Sequence, residues 1–157
     1  MTLNILGLDV QKTEVLVTDL NVLLANFQVY YPNLRGIHWN IKGKGFFELH
    51  TKFEELHNDT QVKVNEIAER VLTLGGEPLH AFEEYIANAK VPVGRHISQD
   101  EKAVELIVAS ISELLKLERV LLEKAAYAND EGTNAMMSDL ISEQEKTVWM
   151  MNAWLDG

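Results

Sequence analysis

The sequence predicts an all-α protein: a four-helix bundle with a long crossover between helices 2 and 3 that carries a short helix. Three observations predict it. Apolar residues recur at the 3.6-residue helical period through four long stretches. No segment shows the two-residue alternation of a strand. The links between the stretches run short, long, short, and a long second link lets helices 2 and 3 lie parallel.

The first stretch runs from about Val10 to Trp39 behind Asp9, a suitable N-cap, and sets Val15, Leu16, Leu20, Leu23, Leu24, Phe27 and Tyr31 on one side. Pro32 lies inside it. An interior proline removes a backbone hydrogen bond and crowds the preceding turn, so a kink or break is expected there. The second helix starts after Lys42-Gly43-Lys44-Gly45 and ends at Leu74, where Gly75-Gly76 supplies a left-handed stop. Pro78, a helical turn over Ala81 to Ala89, Pro92 and Gly94 make up the crossover. Ser98-Gln99-Asp100-Glu101 has the pattern of a capping box opening the third helix, which runs to about Ala128. After the turn Asn129-Asp130-Glu131-Gly132, Thr133 is a candidate cap for a fourth helix reaching Leu155.

Composition bounds the chemistry. The 157 residues hold 14 Lys plus Arg, 24 Asp plus Glu and no cysteine, for a net charge of −10. One domain over residues 1–157 is expected at this length. Thiolate metal sites, iron–sulfur clusters, disulfides and thiol nucleophiles are excluded, so any metal binds through nitrogen and oxygen. The negative charge disfavours binding to a phosphate backbone. No basic leader precedes an apolar run, and none approaches the ~20 apolar residues of a membrane span, so a cytoplasmic location is expected.

The second helix has two distinct faces. At about 100° per residue, with His50 at zero, Glu54, His57, Asn58, Gln61, Asn65 and Glu69 fall within a band from about 340° to 100°. Phe53, Leu56, Val64, Ile67, Val71 and Leu74 fall on a separate face, between about 240° and 320°. A solvated face is the ordinary explanation of such a band. This one, however, contains no lysine, and its groups can donate lone pairs to a cation. His50/Glu54 and Asn65/Glu69 are each spaced i,i+4, the separation at which two helical side chains grip one ion. The pairs lie 15 residues apart, about 22 Å along the axis, and cannot share an ion within one chain. Two copies packed antiparallel about a two-fold axis would bring the His50/Glu54 end of one against the Asn65/Glu69 end of the other. A di-iron centre in the bundle core is disfavoured: Glu54-Glu55-Leu56-His57 fits the required Glu-x-x-His once, whereas Glu143-Gln144-Glu145-Lys146 has lysine in place of histidine.

Leu34-Arg35-Gly36-Ile37-His38-Trp39-Asn40, Lys42-Gly43, Phe46-Phe47-Glu48-Leu49-His50, Glu66-Ile67-Ala68-Glu69-Arg70-Val71 and Leu74-Gly75-Gly76 together resemble the signature of the Dps family, the miniferritins. The likeness runs through the crossover to Trp149-Met150-Met151 and Ala153-Trp154-Leu155. It implies a ferritin-like subunit of a hollow homododecamer. That shell would oxidise Fe(II) with hydrogen peroxide or oxygen at inter-subunit sites, store ferric mineral (Fe2+/Fe3+) and limit oxidative stress. The family's metal ligands map onto His38, His50 and Glu54 of one subunit and Asn65 and Glu69 of the next. Trp39 is the family's candidate for electron donation. The alternative is a shell acting mainly as a DNA-binding or structural protein with a weak or inactive ferroxidase site.

Asn65 departs from the family's aspartate. An amide keeps an oxygen donor but removes a charge, and hard cations prefer anionic oxygen, so weaker iron binding is expected. Glu66, His57 or Asp59 are the neighbours placed to compensate. Arg70 is expected either to pair with an acid of the site or to form an ordinary surface ion pair. His80 and His96 are expected as loop residues without a metal role. Asp130 and Asp139, with Glu131 and Glu143, resemble the family's acidic ion-entry pore, although acids also gather at helix N-termini for the dipole alone. No cation precedes Lys12 and the chain ends Trp154-Leu155-Asp156-Gly157, so DNA binding through a basic tail is not expected.

Overall fold

The computed structural model describes all 157 residues and contains helices α1 (Val10–Asn40), α2 (Phe46–Thr73), α3 (Phe82–Asn88), α4 (Asp100–Tyr127) and α5 (Glu131–Asp156). Helix α1 packs on α2, α3 and α4, and α4 packs on α5. The four long helices bury one core, in which Leu16, Leu20, Phe27, Phe53, Ile67, Ile107 and Leu114 are almost wholly covered. Residues 74–99 form the crossover and α3 is its short helix, as the pattern of links predicts.

Several local expectations are corrected. Helix α1 continues unbroken through Pro32 to Asn40. Val15 is exposed rather than on the core side. Asp9 caps α1 through Gln11 N, as expected. The capping box at Ser98 does not form: Gln99 is the N-cap of α4 and no side chain caps it. Helix α5 starts earlier than Thr133, because Asp130 takes the cap and accepts from Thr133 N. Gly75, at φ 90, gives the left-handed stop after α2 that a side chain would resist.

Three asparagines on α1 fasten the crossover, a role that helical periodicity does not reveal. Asn26 is fully buried, and its Oδ1 accepts from Lys90 N at 2.7 Å and Val91 N at 3.0 Å. Asn33 donates to Pro92 O and accepts from Gly94 N. Asn21 does the same for Glu77 O and Leu79 N. Loop backbone buried against a helix must find partners, and each amide offers both a donor and an acceptor. The crossover is thereby held along α1, beside the polar face of α2.

Candidate metal centre

The histidine end of the stripe is built by two helices. His38 sits two residues before the end of α1 and His50 in the second turn of α2. His38 Nδ1 donates to His50 O at 2.7 Å and His50 Nδ1 donates to His38 O at 2.7 Å. A carbonyl can only accept, so both rings carry a proton on Nδ1, which leaves Nε2 as the nitrogen that can offer a lone pair to a metal. The rings stack with centroids 4.0 Å apart and planes 10° apart, and Phe46 covers the far side of His50 at 5.0 Å. Such locking holds imidazoles in the orientation a metal needs before the metal arrives. Glu54, one turn along α2, is exposed and engages no cation or hydrogen-bond donor.

His57 belongs to the same cluster. Its ring lies 5.3 Å from that of His38 at 65° and meets Tyr31 edge-on at 5.9 Å. Burial first, then the neighbouring His38 and Arg35, push its pKa below the ordinary histidine value against the opposing pull of Glu54. The neutral ring is thus favoured. Its Nδ1 is buried without a hydrogen-bond partner.

The acid end is open. Asn65 and Glu69 are both exposed, and Asn65 Nδ2 donates to Glu69 Oε1 at 2.5 Å. Replacing the expected aspartate therefore does more than remove a charge: the amide also occupies an oxygen of the remaining carboxylate. Within one chain no three histidine or carboxylate groups converge to hold an ion. The two ends remain separate halves, as the 15-residue spacing requires.

Neighbouring residues divide into those that face the stripe and those that do not. Trp39 is 65% exposed and holds the Arg35 guanidinium over its ring at 4.9 Å, and the same guanidinium lies 5.2 Å from the ring of Tyr31. Arg70 does neither of the things expected of it. Its guanidinium donates to Asp130 Oδ1 at 2.7 Å and Thr133 Oγ1 at 2.9 Å, tying the end of α2 to the cap of α5. Gly132 makes room, since a Cβ there would lie 2.6 Å from Arg70 Nη2. Asp130 is only 2% exposed, so its carboxylate is committed to that cap and ion pair. Asp139 is exposed beside a surface hollow shared with Lys63, Glu66 and Glu143. Of the acids read as a pore, Asp130 is enclosed, whereas Glu131, Asp139 and Glu143 are exposed to solvent. His80 and His96 lie in the crossover, as expected, but His80 is not remote from the stripe: it lines the same surface groove as Gln61 and Asn65.

The bundle core carries no second metal set. Glu143 pairs with Lys63 at 3.1 Å, and that hydrogen bond, with the charges of Asp59, Glu143 and Glu66, outweighs the burial that disfavours the ammonium and raises its pKa. Glu118, unremarked in the sequence, is fully buried with one partner, Gln144 Nε2 at 2.8 Å, and burial pushes its carboxyl up to about 8.

Comparison with known proteins agrees with this architecture. Residues 17–157 match the Ferritin family, described as a ferritin-like domain. The crystal structure of the Dps protein of Vibrio cholerae, described as a member of a broad superfamily of ferritin-like diiron-carboxylate proteins, superposes with a TM-score of 0.95 at 49% identity, covering 99% of this chain and 98% of that one. The Dps protein of Bacillus brevis gives 0.89 at 32% identity over 92% and 97%. The DNA protection during starvation protein of Porphyromonas gingivalis is 40% identical over 152 residues, 97% of this chain and 96% of its own. The helices, their crossover and these likenesses lead to one conclusion: the chain belongs to the ferritin-like family and, within it, to the Dps proteins.

Proposed function

We propose that the protein is a ferroxidase and iron store whose reaction centres form between subunits of a closed homododecameric shell. The observation that carries this reading is the reciprocal His38–His50 lock, which leaves two Nε2 lone pairs next to the unpaired Glu54 while Glu69 waits 15 residues away on the same stripe. An antiparallel second copy supplies the missing half. A groove of about 680 Å³ beside the stripe, lined by Leu24, Tyr31, Val64, Asn65, Leu79 and Tyr85, offers that copy a seat. Exposed Val62, Leu72, Phe82 and Ile86 add apolar surface for it to cover.

Lone pairs lie in ring planes, and planes 10° apart with centroids 4.0 Å apart do not meet at one ion. Each ring therefore serves its own ion, a spacing close to the ~3.5–4 Å of two-metal sites. Fe(II) is substrate here. Two ions each lose one electron to hydrogen peroxide, its O–O bond breaks, and two protons are taken up to leave two waters. A two-electron oxidant matches a two-ion site, so peroxide is preferred over oxygen. Glu54 and Glu69 bind and neutralise the cations, and Trp39 would give up an electron when the oxidant demands more than two ions supply. Asp139 and the net charge of −10 per chain draw cations toward the shell. In the assembled protein, Fe(II) is expected to oxidise faster with peroxide than with oxygen alone. Rates no higher than in buffer with either oxidant would contradict the reading.

A second reading, a shell that protects by binding DNA, draws on the name of the Porphyromonas relative. The charge of −10 opposes it in this chain. Plasmid is expected to migrate unretarded at moderate salt without divalent metal; retardation would favour the second reading.

A further inference from the structure

The geometry points to His57 as a third imidazole donor of the inter-subunit site, on the ion served by His38. This rests on the ferroxidase reading and extends it to a residue outside the family's ligand pattern. His57 lies on the same stripe as Glu54, three residues on, so the two side chains share a helix face. Neither of its ring nitrogens has a hydrogen-bond partner, and Nδ1 is buried, a costly arrangement that calls for a water or an ion. The relation to His38 favours an ion. A metal sits about 2.0–2.1 Å from an imidazole nitrogen, so two rings on one tetrahedral ion have centroids about 5 Å apart in intersecting planes. His38 and His57 stand 5.3 Å apart at 65°, whereas stacked His38 and His50 do not meet this condition.

The chemical consequence follows from Asn65. The amide brings no charge and holds Glu69 Oε1, so the site is short of anionic oxygen; a third nitrogen restores the donor count and shifts the site toward cations that favour imidazole, such as Zn(II) and Co(II).

The test uses assembled apo-protein titrated with Zn(II) by calorimetry and with Co(II) by its visible absorption. His57→Phe keeps a ring against Tyr31 and removes both nitrogens; His57→Gln is the second variant. Each must retain the parent's assembly mass and melting temperature to be scored, and the two guard against a packing defect in either. Affinity for Zn(II) is expected to fall about 10–100-fold and the Co(II) band to change shape and weaken. Unchanged affinity and spectrum in both variants, while His38→Ala and Glu69→Gln lose binding, would overturn the role of His57 and leave the inter-subunit site standing. Unchanged binding in all four would overturn the site itself.

Discussion

At the start of α2 the His50 ring is clamped between His38 and Phe46 and hydrogen-bonded into α1; about four turns on, Asn65 and Glu69 lie exposed, holding only each other. The first end is finished by the folding of one chain. Its imidazoles have a fixed tautomer and orientation, and binding a cation would require little rearrangement. The second end is unfinished: Asn65 must release Glu69 before both carboxylate oxygens are free, and the histidines that complete it belong to a second copy under the proposed function. The difference teaches that, in this chain, the histidine end is prepared by folding alone, whereas the acid end would set how readily a second copy completes the site and how fast it turns over.

The largest effect is expected from breaking the finished end. His38→Ala removes a ligand and also frees His50 Nδ1 from its carbonyl, so Fe(II) oxidation should fall by at least about 100-fold, measured by the appearance of ferric product. A loss of only a few-fold would mean that the lock does not prepare the site. A smaller effect of opposite sign is expected at the other end. Asn65→Asp restores an anionic oxygen and replaces the hydrogen bond with repulsion that opens Glu69, and oxidation should accelerate by about tenfold. Equal rates in the two proteins would show that the amide does not limit the reaction.

The smallest effect on oxidation is expected from Glu118→Gln, remote from both ends. The folded chain keeps on Glu118 a proton that the unfolded chain releases above 4.5. The stability carried by the protonated acid is therefore full below about 4.5, declines as pH rises, and is lost above about 8. Glutamine cannot ionise. The variant should melt several degrees above the parent at pH 8, the gap narrowing toward pH 5, with oxidation unchanged. A constant gap across that range would place the proton elsewhere.

The long helices, the crossover and the two-faced α2 were legible because each is a periodic property of the chain, and helical spacing alone separated the two ends. Residues that depend on packing between distant segments were not. Asn26 reads as a polar interruption of an apolar face until Lys90 and Val91 are seen to need its oxygen. Asp130 reads as a pore acid until Arg70 reaches it across 60 residues. Helix α1 does not break at Pro32 because it is held on three neighbouring helices, enough to carry one missing hydrogen bond. The His38–His50 exchange of carbonyls was invisible for the same reason: periodicity places side chains on faces but does not say which backbone they meet.

Subunit complementation tests the central claim most directly. His38→Ala chains keep an intact acid end and Glu69→Gln chains an intact histidine end, and each alone should be inactive. If the site lies between antiparallel copies, every mixed pair rebuilds one of its two sites. Co-assembled in equal amounts with random pairing, the two inactive proteins should recover about a quarter of the parent's Fe(II) oxidation and Zn(II) sites. No recovery in mixed assemblies of the correct mass would contradict a site shared between subunits.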